Sequence, residues 1–124
     1  MGQIRIKRIY EPPASEDGAR FLVDRLWPRG VSKDKADISA WLKALAPSNA
    51  LRMRFHGKTE GSPETWDAFC LDYNAELDAG GPEIAEALAV LNNAIDAGTV
   101  TLLYAARNEE QNNAVALDRW LAAQ

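Results

Sequence analysis

The residues best suited to chemistry lie in one short turn, where charged groups surround a Trp-Pro pair. Asp24 and Arg25 directly follow the apolar run at residues 21–23, and Trp27 and Arg29 come next. An arginine guanidinium can bind carboxylate or phosphate oxygens through two parallel hydrogen bonds. In open α/β sheets, ligands bind just beyond the carboxyl ends of the strands. A buried strand that ends in this turn therefore predicts an anion-binding edge.

A second apolar strand is predicted to end in a similar set of groups. The run Thr99–Arg107 is typical of a fully buried strand, and it brings Tyr104, Arg107 and Asn108 to its carboxyl end. We expect Asn108 to cap the last helix, with Gln111 completing a capping box. Free N–H groups at the start of that helix would favour an anion. If the two strands are parallel neighbours, both sets of groups meet at one edge of the sheet.

Binding or processing of a small anion is the function that these groups suit best. Five residues would hold the anion: Arg25, Trp27, Arg29, Arg107 and Asn108. The catalytic candidates are His56, Tyr104 and Asp24. His56, the only histidine, or Tyr104 would move a proton, and Asp24 would orient an arginine.

Each of these assignments has a structural alternative. Asp24 could pair with a nearby arginine and pin the turn, and Trp27 could wedge the turn beside its proline. His56 could act as a cation at the end of its helix. Cys70 falls on the apolar face of a predicted helix, where a cysteine is usually inert.

No motif in the sequence indicates a cofactor or a metal. The chain contains no P-loop, no Rossmann glycine pattern and no nucleophile elbow. No group of histidines and cysteines has the spacing of metal ligands. We therefore expect neither a cofactor nor a metal, and the residues leave open whether the protein is an enzyme.

The composition is that of an ordinary globular protein. A chain of 124 residues suits one domain over residues 1–124, and 47% of the residues are hydrophobic. The apolar runs are far shorter than the roughly 20 residues that span a bilayer, and the start of the chain has no signal-peptide core. One cysteine agrees with a cytoplasmic location, and no membrane partner is expected. The oligomeric state stays open.

The predicted elements indicate an α/β fold, with a mixed or parallel central sheet of three to four strands and about four helices. Residues 3–9 alternate as a first, less buried strand, whose pairing with the second stays open. A short extended strand is favoured slightly over a helix near Trp41. Helices are predicted from Ser48 to Gly57, from Ser62-Pro63 to Gly80, and from Pro82 to Gly98.

The sequence resembles the YeaO-like family of bacterial proteins, catalogued as domain of unknown function 488. The most specific match is the string V-D-R-L-W-P-R-G at residues 23–30. Further matches are Lys7-Arg8, Asp17-Gly18, Trp41, Pro47-Ser48, Leu51-Arg52, Phe55-His56-Gly57, Phe69, Tyr73, Glu76-Leu77, Thr101-Leu102-Leu103-Tyr104, Ala106, Arg107 and Asn112. The resemblance implies a small cytoplasmic α/β domain and no particular activity. Family members often carry lysine where Arg107 stands, which keeps the charge but changes its geometry.

Two other classes of function remain as alternatives. The local basic residues Arg5, Lys7 and Arg8, with Arg25 and Arg29, could contact nucleic acid in a binding or regulatory protein. The net charge of −4 does not favour that partner. The polar strings could also only hold the fold of a non-catalytic interaction module.

Overall fold

A parallel sheet of four strands, in the order β1-β4-β2-β3, forms the centre of the computed structural model, which describes residues 2–57 and 65–124. The strands are β1 (Ile4–Arg8), β2 (Ala19–Leu22), β3 (Ala40–Trp41) and β4 (Val100–Tyr104). The helices are α1 (Lys33–Ala36), α2 (Asn49–Phe55), α3 (Trp66–Ala79), α4 (Pro82–Ala97) and α5 (Asn113–Ala122). Two 3-10 turns lie at Ser15–Asp17 and Lys43–Leu45. The predicted α/β class is confirmed, and the described sheet is wholly parallel.

β4 is the central strand, because it pairs with β1 on one side and β2 on the other. Every residue of β4 is buried, whereas every residue of β1 is only half-buried. The sequence left the pairing of β1 and β2 open, and the structure shows that they do not pair with each other, because β4 lies between them. Leu22 is in register with Leu103, and the Val23 N–H continues the ladder to the Leu103 carbonyl at 3.1 Å. The carboxyl ends of the two buried strands therefore lie side by side, as predicted.

Apolar side chains cover both faces of the sheet, which explains the unbroken apolar runs in β2 and β4. The larger core joins Phe21 and Leu102 to buried residues of the longer helices, including Tyr73, Leu91 and Leu117. A second, smaller cluster contains Ile9, Leu22, Ala36 and Leu103, and Trp27 and Trp41 pack against it. None of the helices in the described ranges combines the length and apolar character that crossing a bilayer requires.

The predicted cap of the last helix is wrong. Asn112, not Asn108, caps α5, because its side-chain oxygen accepts the Val115 N–H at 3.0 Å. The Asn108 side chain instead accepts the N–H groups of Glu110 and Gln111, both at 2.9 Å, and so forms a turn that delays the helix. The N–H groups at the start of α5 consequently lie four residues further along the chain than predicted.

The structure adds one short helix for which the sequence made no prediction. Ser32 caps α1 by accepting the Lys35 N–H at 3.1 Å. The short strand predicted near Trp41 is confirmed over two residues, after which the chain turns into a 3-10 helix. The helix starting after Ser48 is confirmed. The predicted start at Ser62-Pro63 lies outside the described residues, and α3 is capped by Thr65.

A fully buried carboxylate, Asp17, fixes the end of the sheet opposite the predicted site. It lies just before β2, and its Oδ2 accepts hydrogen bonds from Lys7 Nζ at 3.1 Å and from Arg20 Nη1. The same oxygen accepts the Ala14 N–H at 3.0 Å. Burial alone would raise the pKa of Asp17, but the Ala14 N–H and the two cations hold that pKa below its ordinary value of 3.8.

The substitution Asp17→Asn should lower the free energy of unfolding by about 3–5 kcal/mol near neutral pH, because it leaves Lys7 and Arg20 without their buried counter-charge. A group with a lowered native pKa stabilises above its unfolded pKa and loses that contribution as the pH falls. The difference between the wild type and Asp17→Asn should therefore shrink below about pH 4. Urea denaturation across this pH range measures it, and a difference that is constant with pH would contradict the assignment.

Asn112→Ala should destabilise the protein by about 1–2 kcal/mol, because it removes the cap of α5 from a buried position. Asn108→Ala, at an exposed turn, should change stability by only about 0.5 kcal/mol. Chemical denaturation of the two variants compares them directly. Equal losses would mean that Asn108 contributes as much to the helix start as Asn112 does.

Candidate functional site

A cleft of about 320 Å³ opens at the carboxyl ends of β2 and β4. Its polar walls are formed by Asp24, Arg25, Arg29, Arg52, His56, Asn112 and Asn113. Its aromatic walls are formed by Tyr10, Trp27, Phe55 and Phe69. The position follows from the parallel register of the two strands, since both chains leave the sheet at this edge. A volume near the lower limit for ligand pockets suits a small molecule.

Asp24 joins the three elements that meet at the base of the cleft. Its Oδ2 accepts the Ala105 N–H, just past β4, at 2.9 Å. Its Oδ1 accepts Asn113 Nδ2, in the first turn of α5, at 3.1 Å, and the same Nδ2 donates to the Val23 carbonyl at 2.8 Å. Burial raises the pKa of Asp24, and these two donors with the Arg52 charge only partly oppose that rise. Asp24 is therefore a carboxylate held by neutral donors rather than by an arginine.

Three arginines line the cleft within the described ranges, and each has a different environment. Arg25 is anchored from behind, because its Nε donates to the Pro47 carbonyl at 2.8 Å. Arg29 is exposed at the rim, and among the described residues its guanidinium has no bonded partner. Arg52 Nη2 donates to Asn49 Oδ1 at 2.7 Å, whereas its buried Nε has no hydrogen-bond partner. The hydrogen-bonding capacity of that Nε–H is therefore unmet within the fold.

Aromatic rings supply the apolar part of the cleft. Phe55 stacks on Phe69 with ring centroids 4.3 Å apart, one turn of α2 from Arg52. The Tyr10 hydroxyl donates to the Arg29 carbonyl at 3.0 Å and so ties the end of β1 to the rim. Trp27 donates from Nε1 to the Val31 carbonyl at 2.7 Å and packs edge-on against Trp41. Trp27 is therefore wedged into the turn while still lining the cleft.

Five of the eight residues predicted from the sequence line this cleft: Asp24, Arg25, Trp27, Arg29 and His56. The other three, Tyr104, Arg107 and Asn108, are not among its lining residues. Tyr104 is only 2% exposed and packs in the larger core, where burial raises the pKa of its hydroxyl. Arg107 is exposed beyond the end of β4, and Asn108 is used in the turn before α5.

Sequence reasoning missed Arg52, Phe55, Asn112 and Asn113 as lining residues. A signal for the first two exists, because Arg52, Phe55 and His56 are spaced at i, i+3 and i+4 and so share one face of α2. The predicted site took only His56 from the end of this helix, so the side chains one turn earlier on the same face were not considered. For Asn113 the signal was hidden by placing the helix start at Asn108.

The described ranges contain no cluster of three or more histidine, cysteine or acidic side chains close enough to hold a metal ion. Asp24 is the one carboxylate that lines the cleft within those ranges, and both of its oxygens already accept hydrogen bonds. Three of the seven described polar side chains that line the cleft are arginines, and the guanidinium group binds oxygen anions well.

Comparison with known families agrees with the resemblance seen in the sequence. A family model described as "Inactive DUF488-N3 subclade" matches residues 3–124. The chain belongs to this DUF488 family. It is similar to "Uncharacterized protein YeaO" of Escherichia coli (strain K12), with 40% identity over 118 residues, which cover 95% of this chain and 96% of that protein.

Two mycobacterial proteins are also similar to the chain. They are "Uncharacterized protein Mb3100c" of Mycobacterium bovis and "Uncharacterized protein Rv3073c" of Mycobacterium tuberculosis (strain H37Rv). Each is 35% identical over 119 residues, which cover 96% of this chain and 93% of the relative. No solved structure matches the chain. The DUF488 assignment therefore supplies a family but no activity.

The bond between Asn113 and Asp24 can be tested by two substitutions at one position. Asn113→Ala should cost about 1–3 kcal/mol, because Asp24 and the Val23 carbonyl each lose a donor. Asn113→Asp should cost more near neutral pH, because it places a second carboxylate about 3 Å from Asp24.

The pH dependence distinguishes the two variants. Repulsion raises the native pKa of the carboxylate pair, so Asn113→Asp should regain stability as the pH falls and one carboxyl becomes protonated. Urea denaturation at about pH 7 and about pH 4 should show the two variants converging in acid. A gap that persists in acid would mean that charge repulsion is not its cause.

Proposed function

We propose that this protein binds a small organic anion in the cleft and does not transform it chemically. The observation that carries the proposal is the unpartnered, buried Arg52 Nε beside an apolar wall. An unsatisfied buried donor costs free energy, and a carboxylate or phosphate oxygen in the cleft would remove that cost. Arg25 and Arg29 add positive charge around the same space.

The apolar wall supports an organic anion over an inorganic one. The stacked pair Phe55 and Phe69, together with Pro47, lines the cleft beside Arg52. An ion such as inorganic phosphate would use the arginines and leave this surface exposed to water. A ligand with an apolar body would bury it, which adds favourable free energy in proportion to the area covered.

The placement of the titratable groups supports binding over catalysis. Both oxygens of Asp24 are occupied by donors, and Tyr104 is packed in the core rather than in the cleft. His56 is exposed at the end of α2 and is the remaining candidate for proton transfer among the cleft residues. The word "Inactive" in the description of the matching family agrees with a binding role.

Nucleic-acid binding is less well supported, because basic residues that suggested it make contacts within the fold. Lys7 is bonded to Asp17 and to the Pro12 carbonyl, and Arg5 lies 3.7 Å from Asp17. Arg8 donates to the Ala105 and Ala106 carbonyls at 3.0 and 2.9 Å. These cations are engaged within the fold, so they do not form a free basic surface for phosphates.

Binding should be visible as thermal stabilisation by benzoate or 3-phenylpropionate. A ligand at about 100 times its Kd stabilises the native state by about 2.7 kcal/mol, which raises Tm by several degrees in a domain of this size. Isothermal titration calorimetry then gives the Kd. Mass spectrometry of the recovered ligand should show it unchanged.

Arg52→Met should weaken that binding by about ten-fold or more, because one charged donor is lost while the side-chain bulk is kept. Arg52→Lys should also bind more weakly, since lysine keeps the charge but has no Nε–H fork. Arg54→Met is the matched control, because Arg54 lies on the same helix outside the cleft and pairs with Asp72. No stabilisation by any carboxylate tested, amino acids included, or an equal loss in Arg54→Met, would overturn the proposed function.

A further inference from the structure

Two opposite charges line the cleft without pairing with each other. Asp24 is bonded to the Ala105 N–H and to Asn113, both neutral donors, and Arg52 is bonded to Asn49. Across residues 2–57 and 65–124 no ion pair joins Asp24 to an arginine. Arg52 is still near enough for its charge to act on the Asp24 carboxylate. The cleft therefore holds a positive and a negative group on separate walls.

We propose that the ligand is a zwitterion: an α-amino acid with an apolar side chain, whose carboxylate binds Arg52 and whose ammonium binds Asp24. This inference rests on the proposed function, because it names the ligand of the same cleft. It goes beyond anion binding in requiring a positive group on the ligand as well.

The Asp24 carboxylate has acceptor capacity left for an ammonium. An ionised carboxylate offers about four lone-pair sites, and the Ala105 N–H and Asn113 Nδ2 use one on each oxygen. No lysine or arginine bonds to Asp24 in the described ranges, so its charge is not neutralised by direct contact. A ligand ammonium would supply that contact and offset the cost of burying the carboxylate.

The same arrangement disfavours ligands of other charge types. A phosphate or dicarboxylate would bring a second negative charge close to Asp24 and be repelled. A neutral molecule would leave the buried Arg52 Nε without a charged acceptor. A zwitterion would pair with both Arg52 and Asp24 and would add no net charge to the cleft.

The size and surface of the cleft fit an amino acid with an apolar side chain. A volume of about 320 Å³ is at the lower end for ligand pockets, which suits a small metabolite better than a dinucleotide. Phe55 and Phe69 stack next to Arg52, and Pro47 and Ala106 continue the apolar lining. An apolar side chain placed there would be removed from water on several sides.

Isothermal titration calorimetry of the wild-type chain with three matched probes tests the inference. L-phenylalanine carries both charges, 3-phenylpropionate lacks the ammonium, and 2-phenylethylamine lacks the carboxylate. L-phenylalanine should bind at least about ten-fold more tightly than either, since a charge-assisted hydrogen bond is worth that factor or more. L-leucine should also bind, because the proposal requires an apolar rather than an aromatic side chain.

The outcomes separate this inference from the proposed function. If 3-phenylpropionate binds as tightly as L-phenylalanine, or if benzoate binds and no amino acid does, the zwitterion is excluded while anion binding stands. If no anion and no amino acid binds, the proposed function fails as well. Tight binding of 2-phenylethylamine alone would overturn both, because the arginines would then have no role.

The substitution Asp24→Asn tests whether the ligand ammonium binds the Asp24 carboxylate. In this variant the ratio of the two Kd values, for 3-phenylpropionate and L-phenylalanine, should fall to about one. Asp118→Asn is the control, because Asp118 is a half-buried carboxylate on α5 that does not line the cleft, and it should keep the wild-type ratio. An unchanged ratio in a folded Asp24→Asn variant would overturn the assignment, and the wild-type probe series decides the proposal if the variant does not fold.

Discussion

The carboxylate of Asp24 is the constraint on which this end of the molecule depends. It lies two residues past the end of β2 and joins that strand to the residue after β4 and to the first turn of α5. These elements are distant in the chain, and three hydrogen bonds, from the Ala105 N–H and from Asn113 to Asp24 and to the Val23 carbonyl, fix them together. Because strands β2 and β4 are parallel neighbours, this junction also fixes where the cleft opens.

Each end of the sheet holds a carboxylate, with cations as its partners at one end and neutral donors at the other. Asp17 lies among cations, with Lys7 and Arg20 bonded to it, and its pKa is lowered. Asp24 lies among neutral donors, and burial raises its pKa. A carboxylate whose charge is met by cations is a structural element of the fold. In the described part of the chain Asp24 is met only by neutral donors, and it lies at the edge where ligands bind in open α/β sheets, which is why we propose it as a ligand contact.

Arg25 and Arg52 both line the cleft, but they differ in how fully the fold uses their hydrogen-bond donors. Arg25 is tied to the Pro47 carbonyl, so its position is set by the loop before α2. Arg52 is supported by Asn49 one turn earlier on the same helix, and its Nε stays unpartnered beside Phe55. A donor held in place before a ligand arrives loses little conformational freedom on binding. This preorganisation favours the organic anion that we propose as the ligand of the cleft.

The sequence by itself determined the elements with strong local signals and the edge of the sheet where the cleft opens. Unbroken apolar runs marked β2 and β4, and Ser48 marked the start of α2. The turn after Val23 marked four of the predicted residues that line the cleft. Only the tertiary structure decided that β4 lies between β1 and β2 and that α5 starts after Asn112. It also decided that Arg52 lines the cleft, whereas Tyr104 packs in the core. Apolar periodicity and capping residues act between near neighbours in the chain, so they can be recognised in the sequence. Strand order, and the choice between two asparagines as cap, depend on contacts between residues far apart in sequence, which local patterns do not encode.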